Sequence, residues 1–234
     1  MVEIEEYWMI NNDFFDVKKE DSLIDLYKRI VLEMQDLGGC DILDYGCGAG
    51  LLEYHTRNIY KPNFYLHDIN KQILKKAADF LGEYHKVYIY NPEEKRKFHG
   101  IIFCLVDVCI KNNQSLIDTY EEIFKLLKKG GKLCIGTTHP CFRDESFHGF
   151  ETSFTRKEQR FEYFTESLPF KLYYGVDSRS IQFIDHHRSL SFTLNTLLKI
   201  GFTLYSIKEI KDTGVSIDSF HSQKSPFILF TLKK

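Results

Sequence analysis

Residues 42–50 read Ile-Leu-Asp-Tyr-Gly-Cys-Gly-Ala-Gly, and few stretches restrict a fold as tightly. A short apolar strand runs into an acid and then into glycines at every second position. The backbone must therefore turn sharply and let another group lie against it, which residues without a Cβ permit cheaply. The dinucleotide fingerprint G-x-G-x-x-G, laid on Gly46 and Gly48, needs a small residue where this chain has Leu51. That leucine argues against NAD. The plainer alternative is a glycine-rich turn in some other α/β protein.

What stands instead is Asp44-x-Gly46-x-Gly48-x-Gly50, which resembles motif I of the class I S-adenosylmethionine-dependent methyltransferases. The resemblance implies S-adenosylmethionine as cofactor, with Asp44 turned to its ammonium end and Gly46, Cys47, Gly48 and Gly50 forming the cradle. It continues downstream. Phe64 to Asp68 reads as a second strand ending in an acid, 24 positions after Asp44. The family uses that acid, here Asp68, for the ribose hydroxyls and the next residue, Ile69, against adenine. Asp68 could also simply cap the helix that begins near Asn70. After a third strand over 86–90 the family more often has an aspartate for the adenine amine. This chain has Asn91, whose side-chain carbonyl can still accept. The apolar run 100–106 reads as a buried parallel strand, and Cys104 and Leu105 at its carboxyl edge are placed to meet the cofactor.

Helical spacing over 21–37, 51–60, 71–81, 113–129 and 189–200 alternates with these strands, which calls for right-handed crossovers and a doubly wound sheet. With strands over 132–138, 202–210 and 226–232, the expectation is an α/β, Rossmann-like seven-stranded methyltransferase sheet in the order 3-2-1-4-5-7-6, its last strand antiparallel. Residues 1–234 then form one domain. Residues 1–39 make an amino-terminal arm and helix, in which Tyr7 and Trp8 either reach the substrate or pack into the core. Residues 140–187 form an insertion after the fifth strand, without a period yet crowded with phenylalanine and tyrosine. Such a loop is a substrate cover or a dimerisation patch.

The subgroup of small-molecule methyltransferases that the chain also resembles carries His-Pro after the fifth strand and an H-R-[ST]-L entry to the following helix. Here these are His139-Pro140 and His187-Arg188-Ser189-Leu190. A hydroxyl acceptor needs a base near neutral pH, so His139 and His187 are the candidate catalytic residues. Each could instead serve the turn or cap beside it. Arg143, Tyr174, Arg179, His186 and Arg188 are candidate acceptor contacts, the arginines suiting a carboxylate or phosphate.

A net charge of −2 over 234 residues offers no global basic field, so a small-molecule acceptor is expected and nucleic acid is not. An RNA substrate, an amine acceptor and a non-catalytic cofactor-binding role remain as alternatives. The acidic start, Glu3, Glu5 and Glu6, resembles neither a signal peptide nor a membrane span, which points to a cytoplasmic protein, and a monomer or homodimer is expected. Cys40, Cys47, Cys104, Cys109, Cys134 and Cys141 form no C-x-x-C pair, so neither disulfide nor metal site is expected.

Overall fold

Parallel strands buried on both faces must send successive side chains into opposite layers, and the fourth strand does so. In a computed structural model describing residues 21–84, 86–147, 150–174, 181–211 and 224–234, Ile102 enters one apolar core while Ile101 and Phe103 enter the other. The first core packs beneath α1 (Asp21–Glu33), α2 (Leu51–Thr56) and α3 (Lys71–Gly82). The second packs beneath α4 (Asn113–Leu126) and α5 (Leu190–Ile200).

The sheet between them contains β1 (Asp41–Tyr45), β2 (Asn63–His67), β3 (Val87–Ile89), β4 (Phe98–Cys104), β5 (Leu127–Thr138), β9 (Thr203–Ile210) and β10 (Phe227–Lys233). Their order is β3-β2-β1-β4-β5-β10-β9. The first five run parallel, and β10 runs antiparallel to both neighbours. Setting the insertion strands aside, this is the expected 3-2-1-4-5-7-6.

Residues 150–187 are not a structureless loop. They contribute β6 (Phe150–Thr152), β7 (Leu168–Tyr174) and β8 (Ile181–His187), which form a separate antiparallel sheet. The helix expected to reach residue 129 stops at Leu126, and β5 begins at once. The reason lies in pairing: the Gly130 amide donates to the Lys234 carbonyl at 3.0 Å and the Lys234 amide to Gly131 at 3.1 Å, so the glycine pair is drawn into the sheet. Asn70, Asn112 and Ser189 cap α3, α4 and α5 by accepting backbone amides, as short polar side chains do. No described helix is long and apolar enough to cross a membrane.

Candidate cofactor site

The three loop glycines meet three different physical demands. Gly46 lies at φ +91°, and a Cβ there would come within 2.4 Å of Val106 Cγ2, so it lets β1 and the turn after β4 approach. Gly50, at φ +74°, precedes α2, and a Cβ would sit 2.6 Å from Leu81 Cδ1, so it lets α2 and α3 pack. Gly48, at φ +51°, has nothing within 4 Å of the same position. Only this glycine presents bare backbone to open space. The amides of Gly46 and Cys47 both donate to the His67 carbonyl, at 2.7 and 2.9 Å, fixing the loop to the end of β2.

Asp68 completes the brace: its Oδ2 accepts the Gly48 amide at 2.9 Å and its Oδ1 the Asn70 amide at 2.8 Å. Burial raises its carboxyl pKa, and those two amides pull it partly back. Asn70, rather than Asp68, is the N-cap of α3. Across the cleft Leu105 sits at φ +58°, a conformation that a branched side chain adopts only when its surroundings hold it. Its amide donates to the Gly136 carbonyl at 2.7 Å, and its carbonyl accepts from Cys109 Sγ at 3.2 Å.

These elements enclose a cavity of about 450 Å³. Of the residues singled out from the sequence for the cofactor, Asp44, Gly46, Cys47, Gly48, Asp68, Ile69, Cys104 and Leu105 line it, whereas Gly50 and Asn91 do not. Asn91 is exposed and accepts the Glu93 amide at 3.1 Å, capping a short 3-10 turn. Sequence reading missed Tyr27, Tyr45, His67, Thr119, Glu122 and Phe183, which also line the cavity. Tyr45 and His67 had a readable signal, since each ends a strand beside a predicted acid. Phe183 had none, because nothing in its neighbourhood distinguishes it from the other insertion aromatics.

The residues expected on the acceptor side do not line this cavity. His139 accepts the Cys141 amide on Nδ1 at 3.2 Å and places Nε2 at 2.9 Å from Glu209 Oε1, so both nitrogens are engaged. His186 Nδ1 donates to the Val108 carbonyl at 3.3 Å. His187 Nε2 donates to the Tyr163 carbonyl at 2.9 Å, while its buried Nδ1 meets no donor. Burial lowers the His187 pKa to about 4, leaving the ring neutral. Arg188 forks inward, to the Asp107 carbonyl at 3.0 Å, the Ile110 carbonyl at 2.6 Å and Asn113 Oδ1 at 2.9 Å. It clamps the segment after β4. Arg143 is buried, donates to the Thr138 hydroxyl and stacks 5.0 Å above the Phe170 ring. Tyr174 ends β7, and Tyr7, Trp8 and Arg179 lie outside the described residues.

Beside Arg143 lies Asp185, which sequence reading passed over. It is 1% exposed, its Oδ1 has no partner, and burial pushes its carboxyl up to about 7 against the pull of Arg143. A carboxyl with a higher pKa folded than unfolded stabilises the fold fully below the unfolded value and loses that contribution as pH rises through the folded one. Melting temperature should therefore fall between about pH 4 and about pH 7, and Asp185→Asn should flatten the fall by several degrees. Parallel pH profiles for the two proteins would refute this.

Against known proteins, no protein-family model matches the chain. Among solved structures, the CcbJ methyltransferase from Streptomyces caelestis superposes with a TM-score of 0.64 at 11% identity, over 97% of this chain and 97% of that one. The N-methyltransferase NodS from Bradyrhizobium japonicum WM9, in complex with S-adenosyl-L-homocysteine, gives 0.63 at 11% identity over 98% and 95%. The chain has the class I methyltransferase fold. The [4+2]-cyclase SpnF is also similar, with a TM-score of 0.58 at 12% identity over 90% and 80%, so the methyltransferase fold alone does not fix the reaction. In sequence, the ribosomal protein L11 methyltransferase of Pseudomonas syringae pv. tomato is 28% identical over 110 residues, 44% of this chain. That match spans 36% of the curated relative's length. Among the described residues no group of three or more His, Cys, Asp or Glu side chains is placed to hold a metal ion, and the six cysteines are unpaired.

Proposed function

We propose that the protein transfers a methyl group from S-adenosylmethionine to a small acceptor, and that the accepting atom is oxygen. The observation that carries this reading is the cavity of about 450 Å³ in which the glycine loop, the acid after β2 and the insertion's Phe183 meet. Its residues fit the cofactor. Asp44 offers a buried Oδ1 without a partner to an ammonium, and Asp68 offers carboxylate oxygens to ribose hydroxyls. Open space over Gly48 admits close backbone approach, and Ile69, 39% exposed, gives an apolar face for a base.

S-adenosylmethionine supplies a methyl on sulfonium, a group that leaves without acid assistance. The chain's residues then have to orient the acceptor in line, exclude water and take a proton. In this reading residues 1–39 and 140–187 are the arm and the cover of one domain over 1–234, and Phe183 brings the cover to the cavity. The near balance of 31 basic and 33 acidic side chains favours a small acceptor over RNA.

Neither candidate base lines the cavity, so either would have to be brought to the acceptor by movement of the cover; of the two, His187 retains a lone pair without a donor, whereas His139 has committed both nitrogens. His187→Gln is expected to lower turnover by roughly a hundredfold with cofactor affinity intact. With its pKa near 4, the acidic limb of the wild-type profile should lie well below pH 6. Full activity in both His187→Gln and His139→Gln would leave orientation as the whole mechanism. It would also favour the second reading, an amine acceptor, to which the likeness to the N-methyltransferase NodS lends support.

Incubating the purified protein with S-adenosylmethionine carrying a carbon-13 methyl and a metabolite extract tests the whole reading. A new methyl resonance in the O-methyl range is the expected result. An N-methyl resonance would establish the second reading. Label on RNA alone would refute both.

A further inference from the structure

Beneath the glycine loop two carboxyl groups face each other with nothing positive between them. Asp44 ends β1 at 2% exposure, and Glu53 lies in α2 at 0%. An isolated carboxylate at either place would be costly. Asp44 Oδ1 and both oxygens of Glu53 have no donor from the protein. The two groups contact each other, and since an ionised carboxylate only accepts, that contact is a hydrogen bond only when one of them carries a proton. Burial raises both; Glu53 raises Asp44 further, while Asp44 and the Glu53 backbone amide pull Glu53 partly back, so the proton sits on the Asp44 side of the pair. The titratable groups around them are Tyr27 from α1, Cys47 in the loop, Cys104 on β4 and Asp68 after β2. None is a cation. The missing positive charge must come from outside these residues, and Asp44 opens on the cavity while Glu53 does not.

We infer that Asp44 and Glu53 share one proton in the free protein and release it to solvent when an ammonium group seats against Asp44, so that Glu53 is a positioning residue that couples cofactor binding to proton release. The O–H bond of the carboxyl pair breaks, its proton passes to buffer, and the incoming N–H⁺ donates to the carboxylate left behind. The inference rests on the cofactor reading of the cavity. Linkage gives the consequence: affinity for the ammonium-bearing ligand rises by up to tenfold per pH unit over the range in which the pair still holds its proton.

The test is calorimetric titration near pH 7 in buffers of different ionisation enthalpy, with two probes. S-adenosylhomocysteine bears the ammonium, and 5′-methylthioadenosine keeps the nucleoside but lacks it. About one proton released per S-adenosylhomocysteine bound, and none for 5′-methylthioadenosine, is the expected result. In Glu53→Gln the homocysteine ligand should bind with its proton release lost. Equal release for both probes, or tight binding of S-adenosylhomocysteine with none, overturns the inference while leaving the cofactor reading standing. No binding of either probe overturns both. The wild-type comparison of the two probes holds even if the Glu53 variant fails to fold.

Discussion

Asp68→Ala is expected to weaken S-adenosylhomocysteine binding by a factor of a hundred or more. The carboxylate now spends one oxygen on the Gly48 amide and the other on the Asn70 amide, and in the proposed complex the same oxygens accept ribose hydroxyls. Hydrogen bonds to a charged acceptor are each worth about 1.5–3 kcal/mol, so losing two reaches that factor. The Gly48 amide also loses its partner, so the loop itself loosens. Gly48→Val should reach a similar loss by another route. Its Cβ would meet no protein atom within 4 Å, so the cost to the fold is limited to left-handed strain of about 1–2 kcal/mol, while the branched side chain fills the ligand's approach. Calorimetry together with thermal melting separates the two effects. Unchanged affinity in both variants, with NADH binding in its place, would sink the cofactor reading.

Arg188→Ala is expected to cost about 3–5 kcal/mol, because a buried guanidinium loses three hydrogen bonds, to the Asp107 and Ile110 carbonyls and to Asn113, and those made by charged groups are worth about 1.5–3 kcal/mol each before compensation. At about 2–4 °C per kcal/mol for a chain of this size, the melting temperature should drop by roughly 10 °C. Two carbonyls, of Asp107 and Ile110, lose the donors that hold the segment after β4. Because Cys109 and Ile110 line the cavity, cofactor affinity should fall as well. Arg188→Lys should recover little, since one ammonium cannot reproduce a three-way fork. A melting temperature within a degree or two of wild type, accompanied by a raised acceptor KM, would return Arg188 to the acceptor-binding role read from the sequence.

The halves of the molecule differ in how plainly they could be read. The sheet was legible because its strands are apolar runs separated by helices with a clear 3.6-residue period, and glycine spacing placed the ligand loop at the end of β1. The insertion was illegible because β6 is only three residues long, β7 carries aromatics on both faces in Phe170 and Tyr173, and β8 runs polar and apolar residues together, so no two-residue alternation marks them. The side chains around it show that residue type does not reveal orientation. Arg188 and His139 read as site residues by chemistry, yet both are spent on partners distant in the chain, the segment after β4 and Glu209. Glu53 was not singled out at all: nothing in the sequence marks an acid in a short helix as buried, and only the packing of α2 under the loop buries it. Asn91 lost its expected place because the proline after it turns the chain into a 3-10 capping geometry.

The position of β10 has a consequence for how the protein comes into being. It follows β9 in the chain yet lies between β5 and β9, and it supplies the hydrogen-bonding partner of each. During amino-to-carboxyl synthesis β9 therefore emerges with no strand to pair with, and β5 keeps a bare flank until residues 227–233 arrive. Such late, long-range closure slows folding and leaves an open edge for other chains to add to. Nascent chains of this protein should thus be clients for chaperones until their last strand is home.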